Sequence, residues 1–321
     1  MIWLTWRQHR KQALFTAIAL IALAAIMVPS GLDMRHVYVS SGLSACFTAL
    51  GNAQLTTGDA CHGLVDQFQN QFGAMTFVGV LFVLLPLLVG LFFGAPLVAR
   101  EVEQHTHLLV WTQGVSRLRW AVTKFGLIGA GAVVVAVAYA LGVSWWYMPL
   151  AAAGNGRFGY LTFDVGGIAP IGYTLFAVAL GVVAGTLWRK VLPAMAVTLV
   201  GFIGVRVLIE TLARPNYLPA KTLTFPVTSE AQPNPAAGAW VYTQGVRNAA
   251  GQLVLSNAQI GCPPAQASCG DSLGLGPGSY NWQLYQPADR FWLFQGIETG
   301  IFVVLAAALI YLAIRRIRQI A

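Results

Sequence analysis

Six long apolar stretches organise this chain. They run over residues 13–29, 72–99, 125–148, 167–187, 191–212 and 291–314, with polar pieces between them. About 20 helical residues cross a bilayer core, so each stretch predicts a membrane-spanning helix. The second is longer than a bilayer needs, which predicts a tilt, a kink at Pro86 or a continuation beyond the membrane. The third closes on Trp145, Trp146 and Tyr147, a run that suits the membrane interface. The fold class that follows is an all-α polytopic membrane protein with six transmembrane helices. Residues 1–12 carry Trp3, Trp6, Arg7, Arg10 and Lys11, which predicts an N-terminal cytoplasmic interfacial helix. A basic start before an apolar run is also the pattern of a signal peptide. This run is longer than a signal core and no small-x-small site follows it, so it reads as an uncleaved first span. The expected division is an interfacial helix at 1–12, spans one to five at 13–212 with a cytoplasmic loop at 99–124, an extracytoplasmic loop domain at 213–290, and the sixth span with a basic cytoplasmic tail at 291–321.

Charge gives the arrangement a direction. Of the 19 Lys and Arg, 12 fall in the first, third, fifth and seventh polar pieces, which together are much shorter than the other three; those three share 6. Basic flanks resist translocation, so both termini are expected in the cytoplasm. The net charge of +8 invites a nucleic-acid reading, but its distribution opposes one. The pieces assigned inside sum to +10 and those assigned outside to −1. No basic stripe with interleaved aromatics lies on a soluble piece, so no nucleic-acid partner is expected. Only 9% of residues are charged, against about 25% in a soluble domain; the principal partner is the lipid bilayer. Arg outnumbers Lys 15 to 4, a bias that fits a bacterial plasma-membrane protein.

All four cysteines, Cys46, Cys61, Cys262 and Cys269, lie in pieces assigned outside, where disulfides persist. Four cysteines allow three connectivities. Pairing within each piece, Cys46 with Cys61 and Cys262 with Cys269, is the simplest, and gives small disulfide-bearing extracytoplasmic loops. Within the 213–290 piece, residues 240–246 and 252–256 flank a turn at 248–251 and predict a β-hairpin.

Catalytic chemistry is not legible. There is no G-x-x-x-x-G-K-[ST] phosphate loop, no H-E-x-x-H and no G-x-S-x-G. His105 and His107 read as solvated loop side chains, so no metal site is expected. No catalytic residue and no cofactor on this chain are predicted. Ionisable residues inside spans stand out for their rarity. Arg206 and Glu210 are spaced i, i+4 and share a helix face, and Glu298 lies at similar depth in the sixth span. The expectation is an intramembrane charge cluster in which Arg206 pairs with Glu210, Glu298 or both, either locking two helices together or lining a substrate path. Gly90-x-x-x-Gly94, Gly181-x-x-x-Gly185 and Gly296-x-x-x-Gly300 permit close helix packing.

The loop between spans two and three carries the strongest signal. It opens Arg100-Glu-Val-Glu103, continues through Thr106 into the apolar run Leu108, Leu109, Val110, Trp111, and breaks at Gly114 before Ser116-Arg117. Glu101 and Glu103 are the only acidic residues in any piece assigned inside. An apolar cluster on a short cytoplasmic loop predicts a docking surface or a helix resting on lipid, and Ser116 suits a cap on the third span. This stretch resembles the coupling region of type-two ATP-binding-cassette exporter permeases, in which Arg-Glu-x-Glu-x-Gly-Thr is followed by a leucine-rich segment and a Ser-Arg turn. The match runs through Arg100, Glu101, Glu103, Thr106, Leu108, Leu109, Ser116 and Arg117, with His105 replacing the usual Gly. It covers about 25 residues, and the layout of N-terminal helix, six spans and a large piece before the sixth matches as well. The resemblance implies a permease of a bacterial exporter. It assigns coupling to an ATPase to Arg100, Glu101, Glu103, Thr106, Leu108, Leu109 and Trp111. The ATPase would be a separate subunit carrying the ATP and Mg, and the assembly would include a second permease copy or a paralogue. The alternative is a membrane sensor or assembly protein that binds a ligand through its outside loops, for which an ATPase-docking loop has no use.

Overall fold

The computed structural model describes residues 2–50, 60–104, 116–154, 156–227, 238–261 and 275–319. Among the described residues, six helices are long and apolar enough to cross a membrane: Ala13–Ser40, Met75–Glu103, Arg117–Ala152, Ala169–Trp188, Val191–Asn216 and Ala288–Arg318. They are numbered here as the first to sixth spans. The helix of the first span begins at Ile2 without a break, so the Trp- and Arg-rich start continues directly into it. The first and third helices extend well beyond their apolar stretches, because their polar flanks continue the helix past the depth at which apolar composition is required.

The fourth span is the centre of the bundle. Some 67% of its most apolar window is buried, against 6–33% for the others, and it packs against spans two, three, five and six. Small residues allow this. A Cβ on Gly181 would lie 2.5 Å from the backbone nitrogen of Ala95, and one on Gly90 would lie 2.6 Å from the Ala177 side chain. The two helices therefore meet backbone to backbone, as the first two glycine patterns predict. The third pattern does not behave this way, since a Cβ on Gly296 or Gly300 would meet nothing within 4 Å. At the same contact the second span switches to a π-turn over Gly90–Gly94, and its helix then continues to Glu103, past the end of the apolar stretch.

Two prolines inside spans free carbonyls that a neighbouring helix then satisfies. Pro86 removes the N–H that would bond the Phe82 carbonyl; the Tyr139 hydroxyl of the third span donates to that oxygen at 2.9 Å. Pro149 likewise frees the Trp145 carbonyl, and Arg35 Nη2 of the first span donates to it at 2.7 Å. The Arg35 guanidinium also stacks on the Trp145 ring at 4.8 Å. Away from water an unpaired carbonyl is unfavourable, so these bonds tie spans one, two and three together. Tyr139→Phe is expected to lower stability by about 1 kcal/mol. Adding Pro86→Ala should recover most of that loss, because the restored amide takes over the Phe82 carbonyl; unfolding titrations of the two variants in mixed micelles check this.

The chain is not purely helical. A four-stranded antiparallel sheet, ordered β1-β4-β2-β3, joins the fifth and sixth spans. The strands are β1 (Lys221–Pro226), β2 (Trp240–Arg247), β3 (Leu253–Ser256) and β4 (Tyr280–Gln286). β2 and β3 are the predicted hairpin, turned at Asn248, whose side chain accepts from the Gln252 N–H at 2.9 Å. β1 and β4 continue the chain next to the sheet-side ends of two spans that both pack on the fourth. Gln286, fully buried, donates to the Leu218 carbonyl at 2.9 Å, and Arg290 donates to Gln286 Oε1 and to the Pro219 carbonyl, both at 2.7 Å. The all-α expectation is corrected to a mostly helical fold with a small sheet. On the same side of the bundle, Cys46 and Cys61 form the expected disulfide between the helices Leu43–Leu50 and Ala60–Phe72. Cys262 and Cys269 lie outside the described residues.

Candidate functional site

Polar side chains gather at the two ends of the bundle. At the end rich in Arg and Lys, the second span runs through Arg100, Glu101 and Glu103 as regular helix. Arg100 is exposed. Glu101 forms an ion pair with Lys124 of the third span, which is buried and lies 5.1 Å from the Trp120 ring centroid. Glu103 accepts from the Val191 N–H at 3.0 Å. Val191 is the first residue of the fifth-span helix, so the carboxylate meets one of the amides that a helix start leaves unpaired, at the positive end of its dipole. Ser116 caps the third span as its position predicts, its hydroxyl accepting from the Arg119 N–H at 3.3 Å. Thus the two carboxylates of the loop's first turn grip two different spans. Thr106, Leu108, Leu109 and Trp111 lie outside the described residues.

At the sheet end, the expected charge cluster exists with a different membership. Arg206 is bonded to Asp164, Nη2 to Oδ2 at 2.6 Å. It pairs with neither Glu210 nor Glu298. Arg214 is the hub: its Nη2 lies 2.7 Å from Asp164 Oδ1 and 2.7 Å from Glu298 Oε1, and its Nε 2.9 Å from Glu298 Oε2. Glu210 is peripheral, 3.8 Å from Arg214 Nη1 and partly exposed. Asp164, Arg206, Arg214 and Glu298 are all buried. Tyr173 donates to Glu298 at 2.5 Å and Tyr217 at 3.2 Å. Burial, and then the Glu298 carboxylate, hold the Tyr217 phenol above its ordinary range, so it stays protonated as a donor. Both guanidiniums also stack on rings, Arg206 on Tyr173 at 3.7 Å and Arg214 on Phe163 at 4.3 Å.

A backbone irregularity makes this arrangement. Arg206 and Arg214 would stand about 80° apart on a regular α-helix. The π-turn over Ile209–Ala213 takes up one extra residue, which brings them to within about 20°. Glu210 lies within this π-turn, and its carboxylate is nearest Arg214 rather than Arg206. Beside the cluster, Gln295 accepts at Oε1 from the Ile168 and Ala169 N–H groups, at 3.0 and 2.7 Å, and donates to the Phe163 carbonyl at 2.9 Å. It thereby caps the fourth span and fixes the short helix Tyr160–Val165 that presents Asp164. Asp164 and Arg214 were not singled out from the sequence. The signal was their nearness to apolar stretches: each lies within one turn of an assigned span end.

The cluster is saturated with its own partners. Its carboxylates accept from arginines and tyrosines, which suits a lock between spans four, five and six rather than acid–base chemistry. Among the described residues, no group of three or more His, Cys, Asp or Glu side chains is placed to hold a metal ion. Residues 17–214 match the family described as ABC-2 membrane transporter related. The matched region runs from within the first span to within the last turn of the fifth, includes the connection from span two to span three, Asp164, Arg206 and Arg214, and stops before the sheet. No curated protein and no solved structure matches the chain.

Proposed function

Because the chain belongs to the ABC-2 membrane transporter related family, we propose that it is the permease subunit of an ATP-driven exporter in a bacterial plasma membrane. In this reading a separate ABC ATPase subunit binds ATP and Mg, and a second permease copy or paralogue completes the pathway. The termini and the 99–124 connection face the ATPase in the cytoplasm, in keeping with the concentration of basic residues there. The observation that carries the proposal is the bracing of the last turn of the second span. Force applied to residues 99–117 reaches the third span through Glu101 and Lys124, and the start of the fifth span through Glu103 and the Val191 amide. A cytoplasmic segment tied at residues 99–104 to three spans is what an ATPase needs to switch a permease between inward and outward states.

The direct test is reconstitution. The permease is purified together with any ABC ATPase found to be encoded beside its gene. A stable complex whose ATP hydrolysis changes when the permease is present supports the assignment. If neighbouring ATPases neither co-purify nor respond, the exporter reading is lost.

A further inference from the structure

We propose that the groove between the third and sixth spans holds one acyl chain of an anionic phospholipid, from the leaflet at the basic end of the bundle. The groove is a cavity of about 430 Å³ lined only by apolar side chains and glycines, with the fourth span as its floor. Its walls include Val122, Gly126 and Gly129 of the third span and Val303, Ala307 and Ile314 of the sixth. It opens sideways: Val122 and Val303 are 52% and 40% exposed, on a surface that the bilayer covers.

Two features select the occupant. The first is length. From Val303 to Ile314 the wall rises roughly 16 Å at about 1.5 Å per residue, close to half of a hydrocarbon core of about 30 Å. The groove therefore spans one leaflet. The second is charge at the basic-end mouth. Residues three or four apart share a helix face. Val122 and Arg119 are so related on the third span, as are Ile314 and Arg318 on the sixth. Both arginines are exposed, and no salt bridge joins either to a carboxylate among the described residues. Arg315 adds a third exposed cation on the same turn. A chain lying in the groove would place its phosphate at these guanidiniums, which bind phosphate in bidentate fashion and reach the headgroup layer on apolar stems. Basic pockets between spans favour anionic headgroups. A zwitterionic lipid would offer the same chain but carry a cation into a cluster of cations.

Native mass spectrometry of the whole chain, released from micelles containing equal phosphatidylglycerol and phosphatidylcholine, tests this. Wild type should retain one phosphatidylglycerol in preference to phosphatidylcholine. Gly126→Leu/Gly129→Leu should empty the site, since a Cβ at either position meets nothing within 4 Å and the added side chain enters the groove. Gly204→Leu on the fifth span, where a Cβ is equally free, should retain the lipid. Arg119→Gln/Arg318→Gln, at exposed positions that do not endanger folding, should reduce the preference by roughly fivefold per arginine. Equal retention of both lipids by wild type overturns the proposal. So does undiminished retention in the glycine double variant, or a preference unchanged in the arginine double variant. None of these measurements involves an ATPase, so they stand or fall separately from the exporter assignment.

Discussion

Replacing Arg214 by alanine is expected to be the most damaging single change at the sheet end, with a loss of about 3–5 kcal/mol. It would strand the buried Glu298 carboxylate and leave buried Asp164 with Arg206 as its one remaining cationic partner. Total stabilities of about 5–15 kcal/mol leave little after such a loss, so folded yield should fall sharply. Arg206→Ala strands only part of Asp164 and should be milder. Glu210→Ala, at a partly exposed position 3.8 Å from its partner, should lie within about 1 kcal/mol of wild type. Arg214→Lys should not rescue, because one ammonium cannot reproduce the forked contacts to two carboxylates. Arg214→Ala combined with Glu298→Gln should recover part of the loss, since the amide carries no charge to be stranded. Fluorescence size-exclusion yields and unfolding midpoints across this series give the order; equal effects from the three alanine variants would refute the hub.

The second large effect is expected at the opposite end, and it separates attachment from transmission. Leu109→Asp introduces a charge into the apolar run of the loop and should abolish the complex with the ATPase. Glu101→Ala/Glu103→Ala should leave the complex intact but lower transport at least tenfold, because the loop's first turn would lose its ties to the third and fifth spans. Transport and ATP hydrolysis measured on the same proteoliposomes distinguish the two. Hydrolysis should persist in the glutamate variant while transport falls. If both variants form complexes and transport normally, this loop is not the coupling element.

The spans were readable because a bilayer demands a run of apolar residues, and hydropathy measures that demand directly. What hydropathy does not measure is partnership. Asp164 and Arg214 look like loop residues in the sequence, yet they are buried, because each meets an opposite charge brought from elsewhere in the chain. The i, i+4 spacing of Arg206 and Glu210 predicts a pair only on a regular helix, and the π-turn at Ile209–Ala213 removes that regularity. The β2–β3 hairpin was legible from its local turn. The pairing of β1 with β4 was not, because those strands are far apart in sequence and are brought together by the spans that carry them. The glycine patterns were ambiguous for a related reason: spacing permits close approach, and only a facing small residue, as at Gly181 opposite Gly90, turns permission into contact.

The pairing of β1 with β4 also bears on how a pathway could open. Six residue pairs join these strands, from Lys221 with Tyr285 to Pro226 with Tyr280. Just inside them, Arg214 and Glu298 join the same two helices. The fifth and sixth spans are therefore fastened at one end like adjacent staves under a hoop. Separating them there would tear a strand pair and a desolvated ion pair together, whereas among the described residues no strand pair or salt bridge joins their other ends. Parting of these two spans is therefore hindered at the sheet end and freer toward the basic end, where each rests on the fourth span.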